Sequence, residues 1–495
     1  MASGVRGWAQ ALGAACGLCL LVSLARAGEP FAADLTFLLA DWDLLTAPDG
    51  ADTSRGCAPS EQGPWPCAHE PGDSRLGLVA RLAGLARFED LAGGLDLELG
   101  LRGWLVPIQQ DGEGLLRDAG SYLGLAWRLA ATPAGPSRLS LQLFPLDAEP
   151  VRMGYAWGMT WGGEGVFPFS EEDWPLVPGL LLRADLGPGH LVAGFKGAAV
   201  SHPHGEDEPA LPAEAALGGV LGGGLELEGW VFGAKLGAFQ TDPHEDRLLI
   251  GGSYQLGYRS GQPIGPPLDL HGRRNDHALV DMLATEEPRD GFSFSVMHEG
   301  SLLAVQGEEG LLWTFGLQAA LQVEAFRVFL EGWVTSGTFA MQQVYRTHYF
   351  EDDPGYALAL ALGFDHAFAE TGLTAGMHCS LRRQLVDIGP LWVDDDPSNG
   401  VTWGGRIADE NGRHLLMGRA PATPWVPGLA LDLRWVPSGL VALLLELSYS
   451  HDPLRCGTRH HGSGPGFNIL SYSMICLPPS EPHRLGLALA AQARF

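Results

Sequence analysis

Charged side chains stand at alternate positions within apolar stretches of this sequence, a spacing that would place them on one common face. Asp96 and Glu98 alternate with leucines, and Asp432 and Arg434 interrupt a second leucine series. Carboxylate and guanidinium groups that line an enclosed, wet interior attract polar solutes and orient their dipoles; they can equally pair with one another across neighbouring strands. The residues predicted to share such a lining are Asp96, Glu98, Arg102, Arg128, Arg138, Arg183, Asp185, Glu324, Arg382, Asp432, Arg434, Glu446, Arg484 and Arg494.

An aromatic, glycine-rich segment at 152–163 is the second candidate for ligand contact. It contains Tyr155, Trp157 and Trp161, and a Trp-Gly-Gly echo follows at 403–405. Such rings can stack on sugars, or the segment can fold inward as a constriction. They can also be packing anchors or part of the aromatic belts that lie at membrane–water interfaces. The belts are predicted to contain Trp104, Trp127, Trp313, Trp333 and Trp435.

Metal, cofactor and catalytic signatures are weak by comparison. The acidic run that begins at Asp394 resembles a calcium loop, but Gly400 stands one place late for that spacing, and no histidines have a strong metal spacing. His378 and Ser380 share a face, yet no third catalytic group accompanies them, and no nucleophile elbow, Walker loop or dinucleotide fingerprint is present. We therefore predict neither a metal nor a cofactor, and no enzymatic activity.

The elements that carry these residues show a period of two. Apolar residues recur at every second position from Leu311 to Val323 and again from Leu485 to Phe495. This alternation predicts β-strands, because successive side chains of a strand point to opposite faces. The segments run for roughly 10–14 residues, which suits a tilted membrane crossing better than the ~5–6 residues usual in globular sheets.

The contrast between the two faces distinguishes a membrane barrel from a soluble β-sandwich. One face is leucine after leucine with hardly a charge, whereas the solvent face of a sandwich would carry many Lys, Glu and Thr residues. An Arg or Lys facing lipid at mid-membrane costs about 2–4 kcal/mol, so an uncharged outer face is expected. The sequence predicts an all-β protein, a single transmembrane antiparallel β-barrel of about 18 strands (16–18) over residues 28–495.

Connection lengths alternate in the way such barrels require. Short links are predicted near 89–94, 132–137, 187–190, 222–224, 324–326, 367–372 and 436–439. Longer segments, predicted to lie outside the cell, are 45–74, 107–118, 148–176, 201–210, 337–354, 387–426 and 452–482. Segment 259–289 breaks the rhythm and is predicted on the periplasmic side, as a lumen insert or small plug.

The last strand ends in Phe495, as in the Gram-negative outer-membrane β-barrels that this chain resembles. The resemblance implies an outer-membrane location, contact with outer-membrane lipid, and recognition of Phe495 by the barrel-assembly machinery. Size and strand number are similar to those of diffusion porins, which implies a channel for polar solutes or saccharides. The segment that begins at Arg152 resembles large myxobacterial envelope barrels. It implies the alternative of a structural anchor for a gliding-motility, polysaccharide-export or secretion complex with periplasmic lipoproteins.

Export and charge complete the expectations. Residues 1–27 have the layout of a cleaved secretory signal, whose removal lowers the net charge from −27 to −29 by the loss of two arginines. Such a negative chain repels phosphate backbones, so a nucleic-acid partner is not expected. In an oxidising compartment Cys57–Cys67 and Cys456–Cys476 are predicted to form local disulfides, with Cys379 left over. Zinc is the less favoured alternative because the mature chain lacks a Cys-x-x-Cys pair.

Overall fold

The structure is a computed structural model of the 495-residue chain. It describes residues 31–41, 77–106, 115–118, 120–132, 135–148, 150–155, 177–200, 214–242, 247–261, 291–306, 310–336, 356–383, 406–408, 414–416, 425–451, 455–460, 472–477 and 483–494. The predicted signal segment, Cys57, Cys67, Trp157, Trp161 and Phe495 lie outside these residues. Among the described residues, no helix is long and apolar enough to cross a membrane.

Twenty-three strands make up the described part of the chain. The first eleven are β1 Phe31–Asp41, β2 Gly77–Ala92, β3 Leu95–Val106, β4 Leu115–Asp118, β5 Tyr122–Thr132, β6 Gly135–Phe144, β7 Gly179–Leu186, β8 Gly189–Val200, β9 Glu214–Leu227, β10 Trp230–Asp242 and β11 Arg247–Ser260. The others are β12 Phe292–Val305, β13 Leu312–Val323, β14 Phe326–Ser336, β15 Tyr356–Phe368, β16 Leu373–Arg383, β17 Arg406–Ala408, β18 His414–Leu416, β19 Trp425–Ser438, β20 Val441–His451, β21 Arg455–His460, β22 Tyr472–Leu477 and β23 His483–Arg494.

Nineteen of these strands form one antiparallel sheet that closes on itself, because β1 pairs with both β2 and β23. The short β4 and the longer β5 pair with successive parts of β3 and so share one position in the wall, which gives a closed barrel of 18 strand positions. Closure gives each of the longer strands of the wall a partner on both sides, as a lipid environment requires. The predicted fold class and strand number are confirmed.

Side-chain direction follows the predicted alternation around the ring. Along β19 the outward Leu431 and Leu433 are 46% and 40% exposed, whereas the inward Asp432 and Arg434 are 5% and 2% exposed. An apolar outer face around a polar interior is the arrangement of a transmembrane barrel, so the chain has the architecture of a Gram-negative outer-membrane β-barrel. Trp333 departs from its predicted place in the aromatic belt. It faces inward, is 5% exposed and packs over Gly316 on the neighbouring strand.

Two-residue turns lie at one end of the barrel, here called the turn end, and the opposite end is called the loop end. The β9–β10 turn consists of Glu228 and Gly229, which both have positive φ (48° and 89°), as a hairpin turn with the barrel's twist requires. The predicted link at 222–224 is wrong, because these three glycines lie within β9. Because these glycines have no side chain, neighbouring groups lie close to their backbone: a side chain on Gly224 would collide with the His190 ring.

The longer connections lie largely outside the described residues. Arg259 and Ser260, which open the predicted insert 259–289, belong to β11, and the β11–β12 connection leaves from the turn end. Segment 387–426 contains the β17–β18 hairpin and the start of β19, and segment 452–482 contains the β21–β22 hairpin. In that hairpin the backbone register places Cys456 opposite Cys476. The disulfide itself stays a prediction, as does the external position of these segments.

Candidate functional site: the barrel lumen

A cluster of ion pairs lines the turn-end half of the lumen on β2, β3, β5 and β6. Glu98 accepts from two arginines, Arg87 at 3.0 Å and Arg138 at 2.5 Å. Asp96 accepts from Arg128 at 2.8 Å and from the Asp90 backbone N–H at 2.9 Å. We call Arg87, Asp96, Glu98, Arg128 and Arg138 the β2–β6 cluster. Its arginine side chains are 36–49% exposed, so they pair the carboxylates and still face the open lumen.

Two further ion pairs continue this pattern around the wall. Arg183 and Asp185 lie two residues apart on β7, with 2.8 Å between Nη2 and Oδ1, and Arg259 on β11 pairs with Glu226 on β9. Each of these four side chains is about one third to one half exposed. This arc of the wall therefore presents paired but accessible charges to the lumen.

A second group of charges lies across β14, β15, β16, β19 and β20. The register sets Arg327, Asp365, Gly376, Asp432 and Glu446 side by side in one inward row, which we call the β14–β20 row. Its four charged members are only 1–5% exposed. Arg327 donates from Nε to Asp365 Oδ2 at 2.9 Å and makes a second bond to the same oxygen through Nη2. Three carboxylates thus share the row with one arginine.

The chain between β6 and β7 turns into the barrel. Residues 145–148 and 150–155, here called the strap, begin with backbone bonds to Val177 and then run along the inner wall. Inward glycines of the wall make room for them: Val151 packs at Gly194 and Met153 at Gly237, where any side chain would collide. The sequence places 148–176 among the external loops, but the described part of it lies inside the lumen because this track of glycines accepts it. An inward fold was one of the alternatives for this segment.

The only two lysines of the sequence hold the strap. Lys196 on β8 donates to the Ala148 carbonyl at 3.4 Å, and Lys235 on β10 donates to the Gly154 carbonyl at 2.9 Å. Lys196 is completely buried, and a buried ammonium requires such acceptors. Both cations fix the backbone of a segment that belongs to none of the 23 strands.

Tyr155 closes the described strap and is attached to the wall on several sides. Its backbone N–H donates to Glu299 Oε1 on β12 at 2.7 Å, the Lys235 ammonium lies 4.7 Å from the centre of its ring, and its hydroxyl occupies the space over Gly233. Burial, reinforced by the nearby Glu299 carboxylate, raises the pKa of the Tyr155 hydroxyl to about 12, so it stays protonated at neutral pH. This environment makes Tyr155 an anchor of the strap.

An apolar cluster fills the loop-end half of the lumen beside the strap. Its inward members include Phe144, Phe239, Leu249 and Leu303, which are 0–2% exposed and pack with the strap residues Ala148, Val151 and Met153. The lumen therefore has a polar turn-end half and, along β6–β15, an apolar, partly occupied loop-end half. Inward side chains of the wall and the strap together narrow the lumen in this half.

Most predicted lining residues stand on inward positions of their strands. These are Asp96, Glu98, Arg102, Arg128, Arg138, Arg183, Asp185, Asp432, Arg434, Glu446 and Arg494. Arg382 and Arg484 occupy β16 and β23, where only their backbone is described. Glu324 lies instead in the exposed β13–β14 turn, with φ of 50°, because β13 ends one residue before it.

Several charged lumen residues lie outside the predicted set. Arg327, Asp365, Glu299 and the two lysines are inward and take part in the contacts above. The period of two, continued through β14, places Arg327 inward, but the apolar Phe329 and Trp333 share that face and hide the signal. No group of three or more His, Cys, Asp or Glu within the described residues is placed to hold a metal ion.

No protein-family model matches the chain, and no curated protein matches its sequence. Among solved structures it is similar to Pseudomonas aeruginosa OpdL, with 12% identity, a TM-score of 0.44 and coverage of 94% of this chain and 98% of that one. It is also similar to Pseudomonas aeruginosa OccK2 (OpdF) in complex with glucuronate, with 11% identity, a TM-score of 0.45 and coverage of 94% and 95%. A third similar structure, Pseudomonas aeruginosa OccD3 (OpdP), has 11% identity, a TM-score of 0.46 and coverage of 95% and 91%.

Proposed function

We propose that this protein is a porin-like channel of the outer membrane that passes polar solutes. The observation that carries the proposal is the interior face: inward positions carry ion-paired yet partly exposed arginines and carboxylates, as in the β2–β6 cluster. Charged groups of both signs along a lumen replace part of a solute's hydration shell and orient its dipole. An interior that served only to hold the barrel together would not need such groups half exposed.

The strap supports a size limit for the channel. It lies across the wall of β7–β12 and is held by Lys196, Lys235 and Glu299, so it narrows the lumen from one side. Saccharides are the finer proposal for the solute, since neutral hydroxyl-rich molecules can exchange water for the mixed donors and acceptors of the lining. Tyr155 contributes to this narrowing through its backbone position, whereas Trp157 and Trp161 remain candidate sugar contacts by sequence alone.

Ion conductance of the purified, refolded protein in planar bilayers tests the channel. We expect stepwise current increases on insertion, and swelling of protein-loaded liposomes that slows as the added sugar becomes larger. Refolding should first be verified by heat-modifiable migration in a denaturing gel. A correctly folded barrel that carries no current would refute the channel.

That refuting outcome would favour the second candidate, a structural anchor of an envelope-spanning complex. The observation that favours an anchor is the near-complete burial of the inward charges in the β14–β20 row, where Arg327 and Asp365 are each 1% exposed. A filled interior suits an anchor better than a channel. Co-purification with periplasmic lipoproteins, in the absence of conductance, would be the expected result for the anchor.

A further inference from the structure

A histidine stands on the outer face of the barrel, midway between its two ends. His298 is the seventh of the fourteen residues of β12, and its direct neighbours are the outward, exposed Leu256 of β11 and Leu317 of β13. At roughly 3.3 Å per residue and a strand tilt of about 40°, it lies about 15 Å from the nearer end of its strand, measured along the membrane normal. The imidazole therefore faces the hydrocarbon layer and not a membrane–water interface.

The other outward histidines of the described wall strands stand near the ends of the barrel. His366 lies at the turn end of β15, opposite Phe326, the first residue of β14. His451 and His483 pair with each other at the loop end, as the last residue of β20 and the first of β23. An ionisable side chain at mid-depth is costly in lipid, and in membrane proteins such a residue is usually paired with another polar group or faces a cavity. His298 is therefore the outward histidine that needs a partner.

No side chain of the described chain hydrogen-bonds the His298 ring. Its described contacts are two stacked rings, Tyr254 on β11 and Phe315 on β13, with 5.5 Å and 6.3 Å between ring centroids. The Tyr254 hydroxyl lies over Gly300 on the same outer face, and within the described residues it too has no hydrogen-bond partner. Hydrocarbon cannot replace the hydrogen bonds that water gives to such groups. Two polar groups thus stand side by side on a surface that lipid cannot satisfy.

The wall next to this pair has raised and recessed positions. Leu221 on β9 and Leu236 on β10 are 63% and 65% exposed, whereas the outward leucines of β19 are 38–46% exposed. Gly252 on β11 stands directly beside Leu236. Ala234 on β10 stands directly beside Tyr254, so small residues separate the protruding leucines from the polar pair. Close packing of such surfaces, together with hydrogen bonds, drives association in a bilayer, because apolar side chains gain little there from leaving lipid.

We propose that the outer face of β9–β13 is an interface for a second copy of this chain, with His298 and Tyr254 at its centre. A neutral imidazole has one N–H donor and one acceptor nitrogen, and a tyrosine hydroxyl both donates and accepts. A two-fold axis along the membrane normal places the same pair on the second copy, so the imidazole of each copy meets the hydroxyl of the other. The face is therefore complementary to itself. The inference concerns assembly and is independent of what passes through the lumen.

Sedimentation equilibrium of the refolded full-length protein in density-matched detergent micelles tests the interface. We expect a wild-type dimer whose dissociation constant rises about tenfold in His298→Phe, which keeps an aromatic ring at this position but removes both nitrogens. Tyr254→Phe should weaken the dimer by a similar factor. The double variant should be no weaker than either single variant, because both substitutions remove the same hydrogen bond. His366→Phe is the matched control: it makes the same change on the outer face at the turn end and should leave the dissociation constant unchanged.

The outcomes separate this interface from the channel. A folded wild type that stays monomeric at every protein concentration refutes the interface, and a trimer refutes its two-fold arrangement; neither result affects the conductance test. A dimer that is equally stable in wild type and His298→Phe shows that another face holds the copies together and overturns the proposal. Equal weakening by His298→Phe and His366→Phe overturns it as well. Heat-modifiable migration of each variant verifies that the barrel has folded before sedimentation.

Discussion

The two arcs of the lumen contain the same residue types but arrange them differently. In the β2–β6 cluster three arginines accompany one aspartate and one glutamate, and Glu98 accepts hydrogen bonds from two of the arginines. Their side chains are 36–49% exposed. In the β14–β20 row three carboxylates accompany one arginine, and every charged member is at most 5% exposed. A substitution in the β2–β6 cluster should therefore cost little stability, whereas the loss of a pairing in the β14–β20 row should cost much more.

The difference follows from the energetics of charge burial. An exposed ion pair exchanges one hydrated state for another and contributes about 0–1 kcal/mol. A buried pair loses hydration at both partners, so it contributes little as a pair, but removal of one partner leaves an uncompensated charge and costs about 3–5 kcal/mol. Identical substitutions in the two arcs should therefore have unequal effects.

The largest expected effect is that of Arg327→Met. It leaves the Asp365 carboxylate, 1% exposed, without the guanidinium that donates to it twice. We expect the free energy of unfolding to fall by about 3–5 kcal/mol, measured by urea titration of the protein refolded in lipid vesicles. The double variant Arg327→Met with Asp365→Leu should recover most of this loss. A loss below about 1 kcal/mol for the single variant would mean that the row is hydrated, and the contrast between the arcs would disappear.

The sequence predicts part of this contrast between the two arcs. Alternating leucines identified Asp96 and Glu98 on β3 as inward residues, and the barrel with its 18 strand positions follows from the same period. The ion-pair partners depend on register: Arg87 meets Glu98 only because Phe88 pairs with Leu97, and a register shift follows towards Ala92. A bulge of this kind has no signature in the composition of the strand.

The strap is the feature that the sequence could not locate. Its inward path depends on Gly194, Gly233 and Gly237, which come from β8 and β10, far from the strap along the chain. Glycines within a strand pattern favour a turn, as at 222–224, or a close approach of another chain segment. Only the assembled wall shows that several of them face the same track. The sequence likewise does not indicate that Lys196 and Lys235 contact the strap.

Lys235 gives a case between the two arcs, a largely buried cation whose partner is a neutral carbonyl. Lys235→Met removes the 2.9 Å bond to the Gly154 carbonyl and the ammonium over the Tyr155 ring. The loss of a hydrogen bond from a charged donor, worth about 1.5–3 kcal/mol, should populate displaced strap states about tenfold more or higher. Single-channel records should show larger mean conductance and more current noise. Arg259→Met, a cation at the turn end, is the control and should leave the noise unchanged; equal noise in the two variants would exclude the strap as the constriction.

Asp432→Asn tests whether a buried carboxylate without a hydrogen-bond partner on another described residue lowers the stability of the barrel. Because no other described residue bonds to its oxygens, neutralising the side chain removes a buried charge without breaking a hydrogen bond. We expect the free energy of unfolding to rise by about 1–3 kcal/mol in the same urea titration. Asp365→Asn should act in the opposite direction, because it removes the negative charge to which Arg327 donates. A destabilised Asp432→Asn protein would show that the carboxylate charge is stabilised by its surroundings in the folded barrel.

The smallest effect is expected for Arg87→Met, the same substitution as at Arg327 and likewise beside a carboxylate. Arg87 is 42% exposed, and after its loss Glu98 still accepts from Arg138 at 2.5 Å. Its removal should change the free energy of unfolding by no more than about 1 kcal/mol, and high salt should abolish the change because the pair is screened. Arg327→Met should keep most of its cost in the same salt, since its pair is shielded from solvent. If salt affected both variants equally, exposure would not be what separates the two arcs, and the number of arginines for each carboxylate would have to account for the difference.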